Sequence, residues 1–292
     1  MPCTIERQSS EGLLRTAARI TRSSKGSLRL LIFGTGVLGT FNAAELQAGG
    51  HDVTVLARGH RAVQLRDDGL VVQERGRGCL RTRVSVIETL EPDQCYDYVL
   101  VLVLVRNEQV ESVLHSLAVN KATPSLVFMF NNLAGPQRLI DVLRPERVVL
   151  GSPGSAGERT PDGTVMATVL PALIQKTTVG ELDGRFTPRV QLLAAALQEA
   201  GFPSAISSHM DAWLKTHVAL VSSIADAFYA AGGDLKVLAN SRFQVIAMLR
   251  SIRKGYRSPL QDLWSAMPAS RRKLPRLSMD DRERTLELQC DR

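Results

Sequence analysis

The sequence predicts an α/β fold: a doubly wound, mainly parallel sheet, followed by a mainly α-helical C-terminal domain. Three observations carry the prediction. Leu30–Phe33 is a short apolar run that enters Gly34-Thr35-Gly36-Val37-Leu38-Gly39, and a helical pattern over Val37–Ala48 follows. Strand, G-x-G-x-x-G turn and helix in that order open a βαβ unit. Tyr96–Val105 (YDYVLVLVLV) is unbroken and apolar from Tyr98 onward, suited to a central parallel strand covered on both faces. From His209 to Ala231 apolar residues recur at helical spacing. On this basis residues 1–27 form an N-terminal extension, 28–207 a dinucleotide-binding domain and 208–292 a helical domain.

A chain of 292 residues can bury a sizeable core and is long enough for two domains. Apolar residues are 44% and charged residues 22%, an ordinary globular balance. The longest strongly apolar run is strand-length, short of the roughly 20 residues that a membrane span needs. Cys3, Cys79, Cys95 and Cys290 are scattered, without a C-x-x-C. That argues against a zinc site and against a disulfide framework, and it suits a reducing cytosol. The net charge of +7 favours anionic partners. Because the basic residues lack aromatic interleaving and no nucleic-acid motif appears, the expected anions are a phosphorylated cofactor and a small carboxylate rather than nucleic acid.

Residues 1–27 are rich in Arg, Ser and Thr, but Glu6 and Glu11 count against a transit peptide. A bland extension, helical over Glu11–Ile20, is expected. In the glycine turn Gly34 permits the tight bend, Gly36 lets backbone approach a pyrophosphate and Gly39 lets helix pack on strand. The phosphates would sit on the free N–H groups of the helix start, Thr35 to Gly39. Gly49-Gly50 stops the helix.

His51–Ala57 is the second strand, and its tip bears on the cofactor. An NAD site places Asp or Glu there to hold the ribose 2′-OH. Here Arg58 follows, then Gly59-His60-Arg61, with no acid. Arg58 can meet a 2′-phosphate with paired N–H donors, so NADP(H) is expected over NAD(H). A short helix over His60–Asp68 and strands over Leu70–Gln73 and Leu80–Ile87 follow. Arg106 stands at the end of the Tyr96–Val105 strand, at the edge where open α/β sheets bind ligands. After a helix over Glu108–Ala118, the buried strand Ser125–Phe130 delivers Asn131-Asn132 to the same edge. Arg147–Leu150, Val165–Leu170 and Thr177–Leu182 read as further strands. Pro188–Ala200 reads as a helix with proline at its start and Gly201 after it.

In the helical domain Met210, Trp213, Leu214, His217, Val218, Val221, Ile224, Ala225 and Phe228 form a stripe expected to be buried. Gly232-Gly233 ends that helix, and another is expected over Asp234–Gly255. Lys215 lies off the stripe, with Ala219 and Ser223 four and eight residues on. A lysine over small side chains suits a cavity wall; an exposed helix lysine gives the same pattern.

Beyond these local readings, the chain from about Leu28 to Gly232 resembles the ketopantoate reductase (2-dehydropantoate 2-reductase) family. The resemblance lies in GTGVLG (34–39), FNNLAGPQRL (130–139), VGELDG (179–184), LLAAALQEAGF (192–202) and AWLKTH (212–217), in that order and spacing. It implies a Rossmann-type N-terminal domain followed by a helical domain, and reduction of a 2-oxo acid by NADPH, the reaction that serves pantothenate biosynthesis. Gly34, Thr35, Gly36, Val37, Leu38 and Gly39 match the phosphate loop, and Arg58 the 2′-phosphate arginine. Arg106 stands where the family commonly has a lysine near the cofactor. Asn131 matches the asparagine between cofactor and substrate, and Lys215 the catalytic lysine of the family's W-x-K motif. Such an ammonium can stabilise the alkoxide formed when hydride reaches the carbonyl carbon, and then donate the proton.

The resemblance has departures. Ala219 and Ser223 replace asparagines that bind substrate in the family. Ser278-Met279 and Thr285-x-Glu287 stand closer together than the corresponding family segment, and the helical domain is short. These changes count against ketopantoate itself as substrate and leave the cofactor site and proton donor intact. The implied partner is a small anionic 2-oxo acid, and the implied assembly a homodimer. A cytoplasmic location is expected, with no metal, membrane or nucleic-acid partner. The alternatives are a reductase of a different carbonyl compound and a non-catalytic NADP-binding or sensing protein.

Overall fold

A computed structural model describes residues 27–74, 76–92, 100–103, 109–121 and 123–266. The expected helix over Glu11–Ile20 and the Ser278 and Thr285 positions lie outside these residues. Of the described residues, those up to Ser222 form one compact unit and those from Ser223 a second.

The first unit is built on an eight-stranded sheet. Its strands are β1 (Arg29–Phe33), β2 (Asp52–Leu56), β5 (Ser85–Ile87), β6 (Leu100–Val103), β7 (Leu126–Met129), β8 (Val148–Ser152), β11 (Thr177–Glu181) and β12 (Ser204–Ile206). Their order is β12-β11-β8-β7-β6-β1-β2-β5. All neighbours are parallel except β11 against β8. From β1 the chain steps outward through β2 to β5, returns to the other side at β6, and proceeds to β7 and β8. The reversal between β1 and β6 makes their C-terminal ends the expected ligand edge.

An unbroken apolar run at β1 has a physical cause. Leu30 and Ile32 belong to one core cluster, with residues of α1 (Val37–Ala48); Leu31 and Phe33 belong to another, with Leu114, Phe128 and Leu139. Successive side chains of a strand point to opposite faces, and both faces are covered, so no position can be polar. Leu30, Leu31 and Ile32 are completely buried.

A second sheet, missed in part by the sequence reading, packs on α1. Its order is β4-β3-β10-β9, from β3 (Leu70–Glu74), β4 (Gly78–Thr82), β9 (Ser155–Arg159) and β10 (Val165–Val169). Leu70, Val72, Val165 and Ala167 join the cluster that holds Phe41, Ala43, Ala44 and Leu46 of α1. A helix between two sheets buries nearly its whole circumference, which explains its small apolar residues. The expected single strand Leu80–Ile87 is corrected by this arrangement. The chain leaves the second sheet at Thr82 and enters the first at Ser85. At the break, the Arg83 guanidinium donates to the carbonyls of Arg66 and Asp67, both at 3.2 Å, beside the end of α2 (His60–Asp68).

The Tyr96–Val105 expectation yields β6; the rest of it lies outside the described residues. α3 spans Val110–Val119, α4 Gln137–Leu143, α5 Pro188–Glu199 and α6 Met210–Ala230. The helix expected over Asp234–Gly255 is two helices, α7 (Leu235–Asn240) and α8 (Arg242–Ala266). Asp234 caps α7 through the Lys236 and Val237 amides at 2.7 and 3.4 Å, and the chain is extended at Ser241. In the second unit Ala227, Ala231 and Leu238 form a small core with Met248 against it. No described helix is long and apolar enough to cross a membrane.

Candidate functional site

Each glycine of the turn after β1 has a distinct geometry. Gly34 takes φ 108°, a left-handed conformation open to glycine. A Cβ on Gly39 would stand 1.8 Å from the Gly34 carbonyl oxygen, so only glycine lets α1 start this close to β1. Around Gly36 the reverse holds: a Cβ there would meet nothing within 4 Å. Gly36 is also the N-cap of α1, with no side chain capping the helix and no acid in its first turn. Open space, exposed backbone and a positive helix end together fit a dinucleotide diphosphate.

Arg58 follows β2 at this edge and is exposed. Its guanidinium carbon lies 6.0 Å from the centroid of the Phe33 ring, the last residue of β1, so the side chain leans back over the start of the glycine turn. Gly59, with φ 53°, then opens α2, again without a cap or an acid in the first turn. Arg61, which the sequence reading passed over, is half-buried on α2. Its Nη2 donates to Thr40 Oγ1 at 3.0 Å and its Nη1 to Gln64 Oε1 at 2.7 Å. Thr40 Oγ1 in turn donates to the Thr35 carbonyl at 3.3 Å, inside the glycine turn. The available signal was a second arginine three residues past Arg58. Arg106 lies outside the described residues.

Strand β7 brings Asn131 to the same C-terminal edge, where its side chain is exposed. The neighbouring asparagine has a different job: Asn132 is buried, and its Nδ2 donates to the Gly135 carbonyl at 2.8 Å, closing the turn. On α6, Met210 and Leu214 are each 1% exposed and anchor the helix in the second core cluster. That rotation turns Asp211 and Lys215, one position further on, to the adjacent face. Lys215 Nζ lies 2.8 Å from Asp211 Oδ2, with the lysine side chain 30% exposed. The other Asp211 oxygen is buried without a hydrogen-bond partner, and a Cβ on Gly135 would come within 3.4 Å of it. The Asp211–Lys215 pair therefore stands beside the turn that begins at Asn131. The acid four residues before the lysine was legible as an i, i+4 pair.

Trp213 stacks on His217, ring centroids 5.0 Å apart. Burial lowers the His217 pKa, which favours the neutral ring. The stripe expected to be buried is only partly so. Ile224 is 40% exposed and most of the others are half-buried. Ser223, read as a small residue on the lysine side, is buried and donates to Ser251 Oγ at 3.0 Å.

The family model described as ketopantoate reductase PanE/ApbA matches residues 30–184, just over half of the chain. A 2-dehydropantoate 2-reductase of Archaeoglobus fulgidus is 30% identical over 173 residues, which is 59% of this chain and 54% of that protein. The chain thus spans about half the length of the curated relative it matches. Among solved structures, a 2-dehydropantoate 2-reductase from Geobacter metallireducens superposes with a TM-score of 0.65 at 20% identity, over 88% of this chain and 87% of that one. A PanE/ApbA family ketopantoate reductase from Ralstonia eutropha gives a TM-score of 0.63 at 17% identity, over 80% and 75%. At these identities the structures establish shared fold.

Proposed function

This chain belongs to the ketopantoate reductase family, and on that premise we propose that it reduces a 2-oxo acid to the 2-hydroxy acid with NADPH. The observation that carries the proposal is the sharing of one sheet edge. The glycine turn after β1 and the Asn131–Gly135 turn after β7 both leave the C-terminal ends of parallel strands, and the Asp211–Lys215 pair stands against the second of them.

The cofactor, when bound, supplies the hydride. Gly34 to Gly39 hold its diphosphate through backbone N–H groups and the start of α1, and Arg58 holds the 2′-phosphate. Asn131, exposed and without a hydrogen bond among the described residues, orients the substrate by donating to its oxygens. The Lys215 ammonium stabilises negative charge that develops on the carbonyl oxygen and gives that oxygen its proton. Residues 28–207 make the cofactor domain in this reading, and Lys215 enters from the helix that follows. Because Ser223 is engaged with Ser251 and Ala219 has no polar side chain, the proposed substrate is a 2-oxo acid other than ketopantoate.

The test is a panel of 2-oxo acids of varied side chain, ketopantoate included, followed by NADPH absorbance. Steady oxidation with at least one acid, and the matching hydroxy acid as product, is expected. NADPH binding without oxidation by any of them would reject the reaction.

A further inference from the structure

Arg61 is an anomaly of charge. Its side chain is half-buried, yet its hydrogen-bond acceptors, Thr40 Oγ1 and Gln64 Oε1, are both neutral. Its Nε is buried with no partner. No carboxylate among the described residues reaches ion-pair distance of it. The nearby acid of the β9–β10 turn, Asp162, is engaged elsewhere: its carboxylate accepts from Thr160 and Thr164, while only its backbone carbonyl meets Gln64. A second cation stands beside Arg61 instead. Arg159, exposed at the end of β9, is close enough for the two like charges to repel. That repulsion, with the larger effect of burial, presses the Arg61 pKa below its ordinary value. Gly157, two residues earlier on the same face of β9, stands against Val37 of α1: its Cβ would fall 3.1 Å from Val37 Cγ1.

A guanidinium keeps its charge when buried, and a partly buried charge without a counter-ion is costly. Arg61 is such a cation, and with the exposed Arg159 beside it and two helix starts without acids, the place is arranged for an anion. Its position selects which one. Arg61 lies on the first turn of α2, one turn beyond Arg58 at the tip of β2, where a dinucleotide places its adenosine ribose. We propose that Arg61 and Arg159 complete the cofactor's 2′-phosphate site, as second and third cations beside Arg58. The inference rests on the NADPH reading above and extends it to residues that reading does not use. Through Thr40 the same guanidinium also braces the Thr35 carbonyl, so occupancy of the phosphate site and the shape of the glycine turn are coupled.

The experiment titrates the full chain with NADPH and NADH, and with 2′,5′-ADP and 5′-AMP, which differ only in the 2′-phosphate. Arg61→Gln should weaken NADPH and 2′,5′-ADP by roughly tenfold or more, as for a lost charge-assisted hydrogen bond, and leave NADH and 5′-AMP within roughly twofold, the scatter of a neutral substitution. Arg159→Gln should act in the same direction and less strongly. Thermal melting shows whether Arg61→Gln folds; if it does not, Arg159→Gln decides the matter from an exposed position. Equal losses for both cofactors would reduce Arg61 to a brace of the turn and overturn the site. A preference for NADPH that Arg58→Gln removes, and neither Arg61→Gln nor Arg159→Gln changes, overturns this inference alone. Equal affinity of the unmutated chain for both cofactors overturns it together with the reading it rests on.

Discussion

The Gly34 carbonyl oxygen lies so close to Gly39 that a Cβ on Gly39 would stand 1.8 Å from it, whereas a Cβ on Gly36 would meet no atom within 4 Å. Three residues apart, the two glycines differ: the fold requires Gly39, whereas the proposed function gives Gly36 its role in the open space beside it. Gly36 has φ −69°, which any residue adopts.

Gly39→Ala should therefore cost stability, about 1–3 kcal/mol as for an overpacked site, and lose dinucleotide binding with it. Gly36→Ala should leave the melting temperature unchanged or slightly raised, because alanine restricts the unfolded chain. Its methyl group fills the space reserved for the diphosphate, so NADPH affinity should still fall. Thermal melts paired with NADPH titrations separate the two. A Gly36→Ala protein that binds NADPH like the parent would show that the open space is not the cofactor's.

Arg58 gives the second prediction. It is exposed at the tip of β2, with no acid between it and Arg61. NADPH should bind more tightly than NADH, and Arg58→Ala should erase most of the difference. A charge-assisted hydrogen bond contributes about 1.5–3 kcal/mol, which is roughly tenfold to a hundredfold. Competitive titration of the two cofactors measures it, and equal affinities in the unmutated protein would remove the basis for NADPH.

Much of this edge was legible in the sequence because its signals are local. A glycine turn between an apolar run and a helix needs no tertiary knowledge, nor does an arginine where an acid is usual. What was not legible depends on distant partners. Leu80–Ile87 read as one strand because periodicity cannot tell that its two halves belong to strands of different sheets. Ser155–Arg159 carried little signal because all but Ser155 is exposed. The role proposed for Arg61 depends on Thr40 and Arg159, brought to it from α1 and β9, and no local pattern announces that. Asn132 looked equivalent to Asn131 until its hydrogen bond to Gly135 showed one of the pair to be structural.

Stability should fall on mild acidification, and His51 supplies a cause. It is 4% exposed, and its Nδ1 accepts from the Leu28 amide at 3.3 Å, fixing the entry to β1. Burial lowers its pKa below the ordinary 6.5, against smaller opposing pulls from Glu199 and the Ala196 backbone. Below pH 6.5 the unfolded chain takes up the proton that the folded imidazole resists. The contribution of His51 is thus complete above that value and declines as pH falls toward the lower folded-state pKa. Denaturant unfolding at several pH values between neutral and mildly acidic should show the decline, and His51→Gln should flatten it. An unchanged slope in that variant would place the titration elsewhere.

The final prediction concerns Lys215, on which turnover depends in the proposed function. General acid catalysis contributes about 10²–10⁴-fold, so Lys215→Ala should lower kcat by that range while NADPH affinity stays unchanged, since the glycine turn and Arg58 are intact. Lys215→Arg should rescue poorly, because arginine keeps the charge but does not release a proton. Asp211 refines the test. An ion pair this exposed adds little to stability, about 0.3–0.5 kcal/mol at i, i+4 spacing, so Asp211→Asn should melt close to the parent. Yet Asp211 holds a long side chain beside the Asn131–Gly135 turn, and once it is freed, re-immobilising it for each turnover costs about 0.5–1.5 kcal/mol. Its kcat should then drop roughly twofold to tenfold, with Asp211→Glu recovering part of the loss. If the two residues act as a unit, Asp211→Asn adds nothing once Lys215 is alanine. Additive losses would mean that Asp211 acts independently of the lysine. A Lys215→Ala protein that turns over within a few-fold of the parent would remove the lysine from the chemistry altogether.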